Sequence, residues 1–393
     1  MNSNYYLKYL KYKQKYFDLK DQISYVQGGS IKQKYFDLKR GGNYEENIAR
    51  INHYFSTTDL CLAEDLGIEG TRSLNPSTGA TKGYGGSHLY FGNVGDIPVS
   101  IKIFLFKKLE GIDKNLNEIG LTHFISDYFM KNPKITDNIT VFYTSKRCIN
   151  YLDSHLRIAD HINSIDEDVT KVYNCDVNVM IVEKVMGDLK GYINANKSNP
   201  TIHNILVSIL FQACYTLLVF NEKFGHFYHG DFHCGNILLK EEEKEFKVYK
   251  LILDGDPYII KLQTFKLCPK LWDFQTSYVK EINDKLLVND HSTLTTFFRY
   301  LNTDRFLEVK GESTIDKDLQ ELLKSILLLF TVEEHKLSPL LLEINSRNLT
   351  GSMNTFKIKN FLLYLTDFLL PPNYAIDPDD DKFKDHPFDF TNA

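Results

Sequence analysis

The sequence predicts an α+β protein in which a strand-rich region precedes a helix-rich one. Three observations carry that reading. Val99-Ser100-Ile101-Lys102-Ile103-Phe104 alternates with a period of two, the pattern of a half-buried strand. Between Ile205 and Phe220 the main polar residues are Ser208, Gln212 and Thr216, spaced by four, which marks a buried helix with one polar stripe. At 393 residues the chain has room for roughly two to three domains, or one body of about 300 residues with extensions.

Residues 1–45 read as a basic helical extension. The octet Lys-Gln-Lys-Tyr-Phe-Asp-Leu-Lys stands at 13–20 and again at 32–39, too few copies for a solenoid. Tyr5, Tyr9, Tyr12, Tyr16 and Leu19 recur at helical spacing, and Gly28-Gly29 and Gly41-Gly42 are stop signals. Residues 1–40 hold nine Lys/Arg against three Asp, on a chain whose net charge is −5. A basic arm on an acidic body suits a partner of its own, an acidic protein surface or nucleic acid; a solvated helix face is the plainer account.

Residues 46–185 mix strand and helix. The Gly-rich stretch Gly79–Gly86 leads into the strand at Val99. A polar helical segment follows through Glu118 and Phe129, then strands at Ile139–Tyr143 and Val179–Val182, with 144–176 an inserted polar loop. From 186 to 375 helices dominate. Asn199-Pro200 is a start signal, with Asn as cap and Pro in the first turn, and Gly225 is a stop. Leu319, Leu322, Leu323, Ile326 and Leu327 mark a later helix; Ile358, Phe361, Leu362, Leu365, Phe368 and Leu369 mark another, ended by Pro371-Pro372. Residues 376–393, with Asp377-Pro378-Asp379-Asp380-Asp381, read as an acidic tail.

A composition of 43% hydrophobic and 25% charged residues is that of an ordinary globular protein. No run approaches the ~18 consecutive apolar residues of a membrane span, and Lys8, Lys11, Lys13 and Lys15 interrupt any secretory leader. The cysteines at 61, 148, 175, 214, 234 and 268 form no C-x-x-C pair. That argues against a zinc site or a disulfide framework and for a reducing, cytoplasmic setting.

The stretch richest in chemistry is His229-Gly230-Asp231-Phe232-His233-Cys234-Gly235-Asn236, which follows the buried helix and precedes the apolar run Ile237-Leu238-Leu239. Its H-x-D-x-x-x-x-N spacing resembles the catalytic loop of kinase-fold phosphotransferases. There the Asp accepts or orients the proton of the attacking hydroxyl, and the Asn reaches a magnesium ion on the ATP phosphates. Asp231 and Asn236 match those positions; Cys234 reads as a small buried residue. Val99-Ser100-Ile101-Lys102 is similar to the V-A-I-K strand, whose Lys holds phosphates. Glu118, 16 residues on, is the ion-pair partner that resemblance implies, with Glu110 a rival. Gly83, Gly85 and Gly86 precede Lys102 at a distance suited to a phosphate-covering loop without spelling G-x-G-x-x-G; a plain surface hairpin is the alternative.

Met180-Ile181-Val182-Glu183-Lys184-Val185-Met186-Gly187-Asp188 resembles the hinge of such proteins. The backbone of Glu183 to Val185 would meet the adenine edge, and Asp188 would lie near the ribose. The second metal ligand has two candidates. Leu271-Trp272-Asp273-Phe274-Gln275 looks like D-F-G with Gln in the last place, whereas Asp254 lies nearer Asn236. Asp254-Gly255 between two alternating runs is, however, a hairpin-turn signal. Reading 240–268 as an inserted hairpin favours Asp273.

From about 55 to 370 the chain thus resembles the eukaryotic protein-kinase-like superfamily, and within it the divergent serine/threonine kinases of giant DNA viruses. The resemblance implies a two-lobed fold, with a small antiparallel-sheet lobe at 46–185 and a mostly helical lobe at 186–375. It implies ATP and Mg²⁺ as cofactors and a hydroxyl of a protein or small molecule as acceptor, in the host cytoplasm or a virion. There are departures. Gly230 stands where regulated protein kinases carry Arg, and no A-P-E follows Asp273. Only 16 residues separate Asp273 from Asp290, read as opening the next large helix, so the peptide-docking segment looks shortened. That favours the alternative of a small-molecule kinase of the aminoglycoside or choline phosphotransferase type. A third reading is a kinase-like virion scaffold, against which the complete set of polar residues argues.

Overall fold

The structure is a computed structural model that describes residues 45–56, 59–61, 87–107, 114–132, 135–151, 173–224, 227–253, 256–279, 315–335, 338–350, 352–355, 357–369 and 388–389. The chain divides into two units, 1–47 and 48–393, and the described residues lie almost wholly in the second. The duplicated octet, the Gly79–Gly86 stretch and the acidic run at 377–381 lie outside the described residues.

The alternating run around Val99 is the centre of a sheet. Its strands are β1 (Ser87–Val94), β2 (Ile97–Lys107), β3 (Phe142–Cys148) and β4 (Tyr173–Glu183), with the helix α1 (Lys114–Lys131) between β2 and β3. The order is β1-β2-β4-β3, antiparallel throughout. β1 was not legible in the sequence. It pairs with β2 through the two-residue turn Gly95-Asp96, where Gly95 takes φ +61°. Strand also extends into both ends of 144–176, at 144–148 and 173–176, where the sequence suggested loop.

Contrary to a half-buried strand, both faces of β2 are covered. Val99, Ile101, Ile103 and Leu105 pack with Ile51, Tyr90, Val177, Val179 and Ile181. Phe104, on the opposite face, packs with Ile119, Met180, Val182 and Trp272. The period of two therefore records a division between two clusters, not between core and solvent. The first cluster also holds a disulfide between Cys61 and Cys148. This corrects the expectation drawn from scattered cysteines, because residues 87 positions apart meet only in the folded chain. Cys214, Cys234 and Cys268 are free and buried.

Beyond β4 come β5 (Gly187–Asp188), α2 (Leu189–Asn196), α3 (Ile202–Phe224), β6 (Phe227–Tyr228), β7 (Ile237–Glu241), β8 (Phe246–Leu253), β9 (Asp256–Gln263), β10 (Leu267–Leu271) and β11 (Tyr278–Val279). Then follow α4 (Ile315–Leu327), α5 (Pro339–Leu349), α6 (Ile358–Leu369) and β12 (Phe388–Asp389). The antiparallel pairs β7–β10, β7–β5, β8–β9 and β6–β11 make small sheets beside the helices, an α+β arrangement.

α3 is the spine of the largest apolar cluster, which also takes residues of α1, α4, α5 and α6. By length and composition it could cross a membrane, and 89% of its most apolar window is buried in the protein. Asn199 caps its approach, accepting from Thr201 N at 2.9 Å. The Ser208, Gln212, Thr216 stripe is fully buried. Asn138 Nδ2 and the Tyr249 hydroxyl donate to Gln212 Oε1 at 3.1 and 3.3 Å, and Ser208 Oγ donates to the Gln263 carbonyl at 2.7 Å. The stripe is a buried polar seam that fastens the β8–β9 hairpin and the strand approach at Asn138 to the helix. Buried polar groups must find such partners.

Candidate active site

β7 pairs directly with β10, with Ile237 opposite Leu271, and the β8–β9 hairpin is inserted between them. Because Leu271 ends β10 beside the residue that follows Asn236, Trp272 N bonds Asn236 O at 3.2 Å and Asp273 comes next. Leu253 and Asp256 are partners in the hairpin, and the residues between them, Asp254 and Gly255, lie outside the described residues. Glu110 and Gly83, Gly85 and Gly86 lie outside them as well.

Lys102 of β2 and Glu118 of α1 meet in a buried ion pair, Nζ to Oε1 at 2.6 Å, and Asp273 Oδ1 stands 3.8 Å from the same ammonium. The rings of Phe104 and Trp272 each lie 5.0 Å from Nζ. Burial pulls the Lys102 ammonium down, but the Asp273 and Glu118 carboxylates outweigh it and hold its pKa above the ordinary lysine value. Burial, and then the Asp273 carboxylate, push Glu118 up to about 8 against the pull of Lys102. Asp273 itself takes the left-handed conformation, φ 63° and ψ 65°, which is uncommon outside glycine and least costly for Asp and Asn.

Asn236 donates Nδ2 to the Asp231 carbonyl at 2.8 Å and to Asp231 Oδ2 at 3.3 Å. Its amide oxygen is thus the atom left for a cation. His229 Nε2 bonds the Trp272 carbonyl at 2.8 Å. A carbonyl only accepts, so Nε2 carries the proton. Burial lowers the His229 pKa and keeps the ring neutral. His229 thereby ties the Asp231 loop to the Asp273 segment. His233 lies on the other side of Asp231, Nε2 to Oδ1 at 3.6 Å, and Gly235 N donates to its Nδ1 at 3.0 Å.

The loop rests on one face of α4, which the sequence did not single out. Asp318 accepts from His229 N at 2.6 Å and Gly230 N at 2.9 Å. Glu321 faces the Phe232 backbone, and Ser325 Oγ accepts from Cys234 N at 3.0 Å. Spaced by three and four, these three residues share one side of the helix. Burial pushes Asp318 up to about 7, although the two loop N–H groups pull it down. Asp318 lies 45 positions after Asp273 and belongs to the helix that meets the loop. Asp290, read from the sequence as opening the next large helix, and most of the docking segment before it are not placed against this helix, because residues 280–314 lie outside the described residues.

Gly230 takes φ +80°, and a Cβ there would stand 2.6 Å from the Thr276 carbonyl oxygen. A side chain is excluded by the backbone itself. Thr276 and Ser277 both donate hydroxyls to the His229 carbonyl, at 3.1 and 2.8 Å. Burial pushes the Cys234 thiol up, as befits a packing residue.

The expected hinge is only partly gathered here. Val185 lies in the cluster with Val182, Leu238 and Trp272, and its N–H meets Ser100 Oγ at 3.3 Å. The Glu183 side chain turns elsewhere: it pairs with Lys270 at 3.1 Å and with Lys240, and accepts from Val141 N at 3.0 Å. Burial raises its pKa, but the two lysines outweigh burial and hold it below the usual range. Asp188 is the N-cap of α2, Oδ1 accepting from Gly191 N at 2.6 Å. Burial pushes it up to about 6. A second cluster, Asp137, Glu242 and Cys268, has ligand atoms close enough for a metal. The Lys247 ammonium already sits among them, 2.9, 2.6 and 3.4 Å away, so the cluster is an ion-pair network.

Two curated proteins resemble the chain. A protein of Acanthamoeba polyphaga mimivirus named as a candidate serine/threonine-protein kinase is 25% identical over 230 residues, 51% of this chain and 49% of its own length. A second, from Dictyostelium discoideum and named likewise, is 31% identical over 109 residues, 27% of this chain and 9% of its own length. The chain therefore spans about half of one relative and less than a tenth of the other. No family model matches the sequence.

Proposed function

We propose that the chain is an ATP-dependent phosphotransferase of the protein-kinase kind, a divergent serine/threonine kinase built as a small sheet lobe over a helical lobe. The observation that carries this is the buried Lys102–Glu118 pair, which has no packing purpose that apolar residues would not serve better, facing Asp273 beside the Asp231–Asn236 loop. The names of the two relatives support the same class of activity.

In this reading Lys102, held charged, binds phosphate oxygens. The carboxylate of Asp273 and the amide oxygen of Asn236 are hard oxygen donors of the type a magnesium ion prefers. A divalent cation held there supplies charge neutralisation on the phosphates. Asp231, half-exposed and steadied by Asn236, takes the proton of the acceptor hydroxyl as its oxygen attacks phosphorus and the bond to the departing ADP breaks. The adenine would enter beside Val182, Val185 and Leu238, replacing the bond between Val185 N–H and Ser100. The 44 residues between Asp273 and Asp318 leave length for a peptide-docking segment, which favours a protein acceptor over a small molecule.

Transfer from labelled ATP to a generic protein acceptor tests the proposal. Asp231→Asn is expected to lower the rate at least about 100-fold with nucleotide affinity nearly unchanged. Asp273→Ala is expected to remove the Mg²⁺ dependence of nucleotide binding, and Asp254→Ala to leave it intact. Near-normal turnover in Asp231→Asn would overturn the assignment of the loop.

A further inference from the structure

Trp272 is the chain's single tryptophan, and it stands one residue before Asp273. It is buried, 5% exposed, in one apolar cluster with Phe104, Ile119, Met180, Val182, Val185 and Leu238. Three of these, Val182, Val185 and Leu238, are the walls beside which the adenine would enter. A packed apolar cluster holds no void the size of a base, because protein interiors leave few spaces larger than a water molecule. Something must therefore move before a nucleotide binds. Of the cluster's side chains, the indole of Trp272 is the one that matches a purine, since both are flat fused bicyclic rings of similar size. The main chain of Trp272 is held on both sides. Its N–H donates to the Asn236 carbonyl at 3.2 Å, and its own carbonyl accepts from His229 Nε2 at 2.8 Å. Rotation of the side chain is the motion left to it, and that rotation leaves Asp273 in place. The Lys102 ammonium lies 5.0 Å from the indole, so the ring also reaches the phosphate end of the proposed site.

We propose that Trp272 is the gate of the nucleotide site: its indole fills the chamber that a purine takes, and the nucleotide binds only with the ring turned out. The inference rests on the phosphotransferase reading and deepens it, because it names the residue with which the base competes. In the closed arrangement the indole packs against Lys102 and the apolar walls. In the open one the base takes over those walls, and the ammonium is released toward the phosphates. Because one ring bears on both, entry of the base and the freeing of Lys102 are a single event. Apparent nucleotide affinity is then the intrinsic affinity reduced by the fraction of molecules in which the chamber stands open. A side chain too small to fill the chamber would remove that reduction.

The test uses the full chain and its own fluorescence, which has one indole as its source when tryptophan is excited selectively. ADP with Mg²⁺ is titrated in, binding is measured by calorimetry, and tryptophan emission and acrylamide quenching are followed in parallel. ADP is expected to shift the emission to longer wavelength and to increase quenching, as the ring passes from a dry chamber to water. Trp272→Leu is expected to bind ADP at least about fivefold more tightly than wild type, with the milder Trp272→Phe in between. Both are expected to melt at a lower temperature, from lost packing. A residue that only packed would lower stability without tightening the nucleotide. ADP binding with the emission and quenching unchanged, as when the two sides of the chamber part around a fixed ring, overturns the gate and keeps the nucleotide site. Trp272→Leu binding no tighter than wild type does the same. ADP binding to Trp272→Leu and not to wild type supports the gate. No ADP binding by wild type or either variant removes the phosphotransferase reading, and the gate with it.

Discussion

Single residues in this protein are held in states that a free chain would not choose, and each has an identifiable cause. Gly230 is the clearest. Its φ of +80° and the 2.6 Å approach of the Thr276 carbonyl to a would-be Cβ leave no room for any side chain there. Gly230→Ala is expected to destabilise the fold by about 2 kcal/mol or more, from left-handed strain and steric conflict together. A denaturant titration checks this; an unchanged midpoint would show that the loop can shift at no cost.

Asp188 offers a test by pH. Burial raises its folded pKa from 3.8 to about 6, so between those values the folded state binds more protons than the unfolded one. Stability from this group is therefore lost as pH rises from about 4 to about 6. Asp188→Asn keeps an N-cap without the titration. The mutant's stability relative to wild type is expected to improve across that window by at most about 3 kcal/mol and then level off. A difference that does not vary with pH would refute the buried-carboxylate account.

Among the elements, α4 matters most to the site, because its Asp318 and Ser325 receive the backbone N–H groups of His229, Gly230 and Cys234 and its Glu321 faces the same loop. Asp318→Ala leaves the buried His229 N–H and the Gly230 N–H without their acceptor, at a cost of about 2–4 kcal/mol. If α4 sets the loop, the rate of transfer should fall much further than nucleotide affinity does, since Lys102, Glu118 and Asp273 belong to other elements. Parallel loss of both would mean that the helix supports the whole body rather than the loop.

At the scale of the molecule, the Cys61–Cys148 bond closes a span of 87 residues around the sheet's apolar cluster. Constraining so long a loop in the unfolded chain is worth about 4.6 kcal/mol in the chain-entropy account. Cys61→Ser, or reduction of the wild type, is expected to lower the melting temperature by several degrees. Thermal scans with and without reductant, set against the mutant, measure it. If reductant leaves the wild type unchanged, the bond has no part in stability.

Much of the fold and site was legible because it is local. The alternation at Val99–Phe104 gives β2, the apolar runs give α3, α4 and α6, and the Asp254-Gly255 signal foresees the β8–β9 hairpin. Even the long-range meeting of Lys102 and Glu118 was foreseen, since a family pattern fixed their order and spacing. β1, α5 and the strand at 144–148 were missed, as mixed polar and apolar residues gave them no clean period. Asp318, Glu321 and Ser325 were missed for a different reason. Their i, i+3, i+7 spacing shows a shared helix face and says nothing of what lies opposite. Periodicity and turn chemistry depend on neighbours in the chain, so the sequence by itself determined β2, α3, α4, α6 and the β8–β9 hairpin, and it singled out Lys102, Glu118, Asp231, Asn236 and Asp273 as candidates for the proposed chemistry. Only the tertiary structure decided that the polar stripe of α3 is a buried seam, that Cys61 and Cys148 are joined, and that α4 receives the loop. Those outcomes depend on which distant surfaces exclude water together, and that is settled by packing across tens of residues rather than by any local pattern.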